Sequence, residues 1–401
     1  MAQLNFTLEQ EFFVGLFSKG REEAFGELME ALLNQSLQAE SAQKLQAEEY
    51  ERCSERTDYR NGTRARTLTT RVGSLTLNVP RHRNEVFHSS LLENYQRNEQ
   101  ALIATMMEMV VQGVSTRKIE KVTEELCGAK FSKSTVSELC KGLNKSVFEF
   151  KNRPLEKSYP FLMLDALYIK VREDFRVRSK AFLVAFGINE DGRKEILGFD
   201  VCENETEYHW ESFLRNLKER GLKDVDLAIS DGNPGLISAI RKELPKAGWQ
   251  RCQVHFTRNI LGAAPKRYQN GLAEELREMF LATTVEEARE KRNKIIEEYQ
   301  DVAAKAVNIL DEGFEDSMNV MCLPLKYRIK LRTTNLLERE NRELRRREMV
   351  ISIFPNVDSA LRLMGAVLLD HHNEWPTQSR IFNMEEYYQK REKLLPLLRA
   401  A

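Results

Sequence analysis

Three acidic side chains stand out by where they fall. Asp165 interrupts FLMLDALYIKV (161–171), an apolar run of strand length. A carboxylate within a strand buried on both faces is costly unless a cation or several N–H donors meet it. Asp231 directly follows VDLAIS and precedes Gly232-Asn233-Pro234, which turns the chain into a helix. It therefore belongs at the carboxyl end of a strand, where open α/β sheets bind ligands. Glu338 lies on TTNLLERENRELRRR (333–347), which reads as a helix starting after Thr334 or Asn335. Helical spacing puts Glu338, Asn341, Arg342 and Arg345 on one face, a carboxylate beside amide and guanidinium groups suited to phosphate. Taken singly, each Asp also reads as a cap or turn residue, and Glu340 and Glu343 read as partners of neighbouring arginines on a solvated face. Together, three carboxylates from strand centre, strand end and helix can hold two Mg²⁺ ions about 3.5–4 Å apart, with Mn²⁺ as a substitute. That chemistry cuts and transfers phosphodiesters. Without metal, three converging like charges predict partial protonation.

The elements that must position these acids follow from composition and pattern. A chain of 401 residues excludes a single small module, and only 19 Gly and 10 Pro favour long helices over an all-β sandwich. Lys+Arg and Asp+Glu balance at 61 each, but unevenly along the chain. Residues 1–50 carry three bases against nine acids and show Phe25, Leu28, Leu32 and Leu37 at helical spacing. Those helices pack either on a second subunit or within the same chain. Residues 60–83 hold Arg60, Arg64, Arg66, Arg71, Arg81 and Arg83 and no acid. Their alternating β-branched and polar residues, with turn formers Asn61-Gly62 and Val72-Gly73, predict a basic β arm for phosphate or minor-groove contacts. After an apolar helix at 100–111, residues 113–143 predict two short helices. Ser115 caps the first, Gly128 breaks the chain, and Ser132 or Ser134 caps the second, which runs to about Leu143. This reads as a helix-turn-helix offering Lys133, Ser134, Thr135, Ser137 and Lys141 to a major groove, or as two ordinary packed helices.

From about 160 the pattern becomes β-β-β-α-β-α-β. Strands are expected at 161–171, 180–188, 194–202, 224–230 and 248–254, and helices at 207–220 and 234–244. Residues 258–322 read as almost wholly helical. The order matches a ribonuclease H-like α/β core, a mixed sheet flanked by helices, with a helical insertion before its last helix. Cys252 and His255 form half of a zinc site with no matching pair, so His255 reads as a structural histidine or as a DNA contact. Trp375 reads as core or as a platform for an unpaired base, and Trp210 as core. The six cysteines lack a C-x-x-C pair and read as free thiols. No run of about 18 apolar residues and no secretory signal are seen, so a cytoplasmic protein is expected.

Several segments read together resemble the Mutator-type insertion-sequence transposases, the bacterial branch of a DDE superfamily. They are ERCSERTDYRNGTRARTLTTRVGSLTLNVPRHR, QGVSTRKIEKVTEELCG, LDALYIKVR, ISDGNPGL, CQVHFTRN and TTNLLERENRELRRR. The resemblance covers nearly the whole chain and implies Asp165, Asp231 and Glu338 as the catalytic, metal-binding triad. It further implies an enzyme that binds terminal inverted repeats, cuts double-stranded DNA with water, and joins the freed 3′-hydroxyl to another phosphodiester. Two element ends must meet, so a homodimer or higher oligomer on the bacterial nucleoid is expected. The expected organisation is an acidic helical region (1–50), a basic arm (51–98), a helix-turn-helix domain (99–153), the core's first part (154–257), a helical insertion (258–324), the core's last part with Glu338, Arg342, Arg345 and Arg346 (325–375), and a tail (376–401). Alternatives are a ribonuclease H-like nuclease or resolvase, which cuts without joining, and a non-catalytic DNA-binding regulator.

Overall fold

Helices dominate the computed structural model, which describes residues 10–17, 21–71, 73–90, 92, 98–127, 130–377 and 379–399. The chain forms two units, Met1–Gly142 and Leu143–Ala401. No helix among the described residues is long and apolar enough to cross a membrane.

The first unit contains α1 (Gln10–Phe17), α2 (Arg21–Leu45), β1 (Arg60–Thr70), β2 (Gly73–His82), α3 (Gln100–Val111), α4 (Thr116–Cys127) and α5 (Lys133–Leu139). β1 and β2 pair antiparallel with Leu68 opposite Leu75 and Arg66 opposite Leu77. Their buried leucines pack with Leu37 of α2 and with Phe87. Polar residues of α2 also line the edge of β2. Glu30 accepts from the Thr76 N–H, while Asn34 accepts from the Asn78 N–H and donates to the Thr76 carbonyl. Backbone groups that an edge strand leaves open are thereby satisfied; Met29, Leu33 and Leu37 of α2 pack within this chain, while Phe25 stays exposed. Asn61-Gly62 is not the hairpin turn. It falls within β1 at a shift of register between Arg60 and Thr63, with Gly62 at φ 73°, the left-handed conformation that a bulge asks of glycine. The turn formers at 72–73 and the break at Gly128 lie partly or wholly outside the described residues. α3, α4 and α5 share a small core of Leu102, Met106, Ile119, Val136 and Cys140. Ser132 caps α5 by accepting from the Thr135 N–H at 3.2 Å. A 3₁₀ turn at Cys140–Gly142 ends this segment before Leu143.

The second unit begins with α6 (Leu143–Lys151) and the meander β3 (Phe161–Glu173), β4 (Arg176–Ile188) and β5 (Lys194–Cys202). Then follow α7 (Glu207–Glu219), β6 (Leu227–Ser230), α8 (Pro234–Glu243) and β7 (Gly248–Arg251). The rest is helical: α9 (Gln253–Ala263), α10 (Gln269–Phe280), α11 (Val285–Tyr299), α12 (Ala304–Gly313), α13 (Leu325–Leu331), α14 (Asn335–Ile351), α15 (Val357–Glu374) and α16 (Glu385–Arg399). The strand order is β5-β4-β3-β6-β7, antiparallel at the first two pairings and parallel at the last two. β5, β3, β6 and β7 therefore all point their carboxyl ends the same way.

α7 and α8 cover one face of this mixed α/β sheet, burying Leu162, Leu164, Trp210, Leu214, Leu236 and Ile240. α9 to α12 form a separate helical core around Phe256, Leu276, Ile295, Leu310 and Phe314. α16 lies on the edge strand β7. A Cβ added at Gly248 would sit 1.9 Å from the Leu398 carbonyl, and Arg391 and Tyr387 hold the buried Asp226 at 2.7 Å each. Residues 376–401 thus include a docked helix that covers an otherwise open edge.

β6 starts at Leu227 and not at 224, and two further differences bear on the site. β3 and β4 continue through 172–179 and meet at a two-residue turn, because a polar two-stranded ribbon needs no apolar alternation once it leaves the core. β7 stops at Arg251, so Cys252 and His255 belong to the start of α9 instead of a strand.

Candidate active site

Asp165 sits on β3 where its neighbour β6 runs out. Register pairs Leu162 with Ala228 and Met163 with Ile229; two residues further along, Asp165 comes level with Asp231, just past the end of β6. Adjacent strands lie about 4.8 Å apart, so the two carboxylates share one corner of the sheet. Asp231 is fixed by the turn after it, accepting from the Asn233 N–H at 3.1 Å. Asn233 in turn caps α8 through the Gly235 and Leu236 N–H groups, and Pro234 at the first helical position suits this start. Asp165 accepts from the Ala166 N–H at 2.9 Å and from the Asn341 side-chain amide at 2.6 Å. Burial pushes its carboxyl up to about 6, the Asp231 charge adds to this, and His255 and the two N–H donors oppose it.

Glu338 arrives on α14, one turn before Asn341. Two tethers fix where that helix begins. The Gln253 N–H donates to the Arg332 carbonyl at 3.0 Å, and the Cys252 sulfur meets both the N–H and the hydroxyl of Thr334 at 3.3 Å. The Glu338 N–H then donates to the Thr334 carbonyl at 2.9 Å. Cys252 therefore acts on α14, a role its half zinc motif did not suggest. Glu338 is half-buried and lies 3.9 Å from the exposed Arg258 of α9. Asp165 and Asp231 are thus brought together, with Glu338 on the helix that touches Asp165. Among the described residues, however, no three His, Cys, Asp or Glu side chains close into a metal-holding group.

His255, in the first turn of α9, is held protonated above its ordinary range by hydrogen bonding to Cys252 and by the charges of Cys252, Asp165 and Asp231. Burial alone would raise the Cys252 thiol, but hydrogen bonds from His255 and Thr334 bring it down. The imidazole's charge is thus coupled to both aspartates.

One member of the site was missed in the sequence. Glu205, between β5 and α7, is pushed up to about 7 by burial and by the charges of Asp231 and Asp165, and it hydrogen-bonds Tyr168. Asn233 reaches it at 3.4 Å. The signal was available: Glu205 follows the carboxyl end of β5, the same position rule that singles out Asp231. Hard oxygen donors at one sheet corner, with carboxyls driven upward by mutual proximity and burial, have the chemistry of a site for a hard divalent cation.

The remaining candidates divide. On α14, Arg342, Arg345 and Arg346 are exposed, Arg346 with Glu343 at 3.0 Å. Glu340 is not a solvated partner of arginine. It is buried, 2.6 Å from His371 and 3.3 Å from Lys194. Trp375 takes the core alternative, buried against Phe186 with the Lys194 ammonium 3.8 Å over its ring. In the first unit, Arg64, Arg81 and Arg83 are exposed, while Arg66 is half-buried. Arg60 instead donates to the Ala47 and Glu48 carbonyls, and Arg71 pairs with Glu99 at 2.8 Å. Lys133, Ser134, Thr135, Ser137 and Lys141 are all exposed on or just after α5. Lys141 pairs with Glu138, and the Ser134 and Thr135 hydroxyls bond Ser132.

The family described as "Transposase, Mutator family" matches residues 5–378. The chain is 46% identical over 384 residues to a Staphylococcus aureus protein named transposase for insertion sequence element IS256 in transposon Tn4001, covering 95% of this chain and 98% of that one. It is 41% identical over 375 residues to the Rhizobium meliloti transposase for insertion sequence element ISRM5, covering 94% of each. It is 40% identical over 369 residues to the Burkholderia multivorans transposase for insertion sequence element IS406, covering 91% of this chain and 94% of its relative.

Proposed function

The chain belongs to the Mutator family of transposases, and we propose that it binds the terminal inverted repeats of its own insertion sequence, cuts there, and transfers the freed strand to new DNA through a DDE centre formed by Asp165, Asp231 and Glu338. The observation that carries this reading is the meeting of Asp165 and Asp231 at one sheet corner, with Asn341 binding Asp165 from the helix that bears Glu338. Strand order β5-β4-β3-β6-β7 with a helical insertion before α14 supports a ribonuclease H-like core. Capped short helices with an exposed polar face on α5 support a helix-turn-helix that selects the element ends. Assembly as at least a dimer follows from the need to bring two ends together.

Mg²⁺ or Mn²⁺ would be held by Asp165, Asp231 and Glu338. A bound pair of such ions would supply activation of the attacking oxygen and stabilisation of the leaving oxygen. The chain's own groups prepare the site. Asn341 orients one oxygen of Asp165 and leaves the carboxylate's other lone pairs to its partners. The turn at Asn233 fixes Asp231. Protonated His255 offsets the negative charge that a phosphodiester brings to two aspartates. The Cys252–Thr334 contact sets where α14 begins and so where Glu338 stands.

The test uses a supercoiled plasmid carrying both DNA ends that flank the coding sequence. Glu338→Gln abolishes cleavage and joining in Mg²⁺ while end binding is retained. Strand joining by this variant at the parent rate would overturn the assignment.

A further inference from the structure

β3 and β4 run well past the core as a two-stranded ribbon. The pairing of β3 with β6 ends at Met163, yet β3 and β4 stay in register as far as Glu173 opposite Arg176. At the tip, Asp174 and Phe175 take φ of 47° and 61°. Both central residues of the turn are thus in the left-handed region that hairpins normally give to Asn-Gly. Phe175 is fully exposed there, a bulky ring in a conformation such residues rarely adopt.

The two faces of the ribbon differ. Val171 is buried and bridged to Phe354, which donates to the Lys170 carbonyl and accepts from the Arg172 N–H. Its acids are already neutralised, Glu173 by Lys180 at 2.7 Å and Asp174 by Arg178 at 3.7 Å. The opposite face carries Tyr168, Lys170 and Arg172, which register sets across from Ala181, Ser179 and Val177. Tyr168, Lys170, Arg172 and Val177 are exposed; Lys170 feels the charge of Glu348 on α14 without a salt bridge to it, and Arg172 makes no salt bridge among the described residues. This face starts at Tyr168, which holds Glu205 beside the two aspartates.

We infer that this ribbon is a DNA-binding element that lies along the duplex from the cut site and seats Phe175 in a groove about one helical turn away. The inference rests on the transposase reading of the same centre. Its reach follows from the strand: ten residues separate Asp165 from Phe175, and at about 3.3 Å per residue the tip lies roughly 33 Å on. That is about ten base pairs, close to one turn of duplex. A two-stranded ribbon fits a major groove, and an apolar side chain at its end suits a wedge at a base step. The exposed cations on this face meet phosphates, and the exposed ring meets sugar and base.

The experiment uses the full chain and a 60-base-pair duplex spanning the junction between one element end and its flank. Hydroxyl-radical footprinting and binding across a salt series are measured for the parent, for Lys170→Ala/Arg172→Ala, and for Phe175→Ala and Phe175→Trp. The double variant is expected to lower the slope of log affinity against log salt by about 1.8, from about 0.9 per phosphate contact, and to lose protection about ten base pairs from the cut phosphate. Phe175→Ala is expected to lose that same protection and to bind about 5-fold or more weakly, while Phe175→Trp keeps both. Each altered side chain is exposed, so thermal unfolding stays at the parent value. Parent-like slopes and footprints in all variants, while the parent cuts and joins plasmid ends, would overturn the ribbon's role alone. A parent that binds but never cuts would instead overturn the transposase reading.

Discussion

Replacing Asn341 by Leu keeps the side chain's bulk and removes one hydrogen bond, the 2.6 Å contact from its amide to Asp165. A hydrogen bond to a charged group contributes about 1.5–3 kcal/mol net. Removing it from the ionised form lifts the Asp165 carboxyl from about 6 to about 7–8, at about 1.36 kcal/mol per pH unit. At pH 7 the ionised fraction falls from about nine-tenths to between a half and a tenth. A divalent cation binds the deprotonated ligand, so Mn²⁺ affinity of the variant is expected to drop about 2- to 10-fold at pH 7 and to match the parent at pH 9. Calorimetric Mn²⁺ titration of the DNA-free protein at both pH values measures this directly. A loss of equal size at pH 7 and pH 9 would mean that Asn341 acts by shape and not through the Asp165 proton, and no loss at either would remove it from the site.

Three other outcomes follow from the same geometry. Asp165 and Glu205 titrate above their ordinary values, at about 6 and about 7. A raised folded value gives stability that is present below the unfolded value and is lost as pH rises through the folded one. Asp165→Asn should therefore raise the melting temperature of the metal-free protein little at pH 4, increasingly up to about pH 6, and by a constant amount above about pH 7; a pH-independent difference would contradict this. Arg64→Ala/Arg81→Ala should lower the salt slope of end binding by about 1.8 without changing the melting temperature. Arg60→Ala should destabilise the arm, because its guanidinium holds the Ala47 and Glu48 carbonyls, and equal melting curves for both variants would refute that division. Glu340→Gln leaves Lys194 and His371 without their buried partner, which costs about 3 kcal/mol or roughly 6–12 °C of melting temperature; an unchanged curve would show the cluster to be solvated after all.

How much of this was legible along the chain depended on whether a residue's neighbours in sequence are also its neighbours in space. Asp165 was readable because a charge inside FLMLDALYIKV violates the pattern of its own strand. Asp231 was readable because a strand end, a turn and a helix start follow one another without a gap. The helix bearing Glu338 was readable from its spacing and start signals. Glu205 carried only the strand-end signal, since β4 separates its strand from β3 and β6 in the sheet and only the folded loop after β5 brings it to the same corner. Glu340 misled because helical charge patterning looks the same whether a face meets water or meets His371 and Lys194. Residues 172–179 fell outside the expected strands, since strands without a core to face lose their apolar period. Asn61-Gly62 was read as a turn former, but a bulge uses the positive φ of Gly62 as readily as a hairpin turn.

Whether Asp231 holds a divalent ion in the reaction is tested most directly by the yield of joined product from Asp231→Cys in Mg²⁺ and in Mn²⁺, because a thiolate is a poor ligand for Mg²⁺ and a better one for the softer ion. No product in Mg²⁺ with partial recovery in Mn²⁺ is the expected result. Joining in Mg²⁺ at the parent level would contradict it.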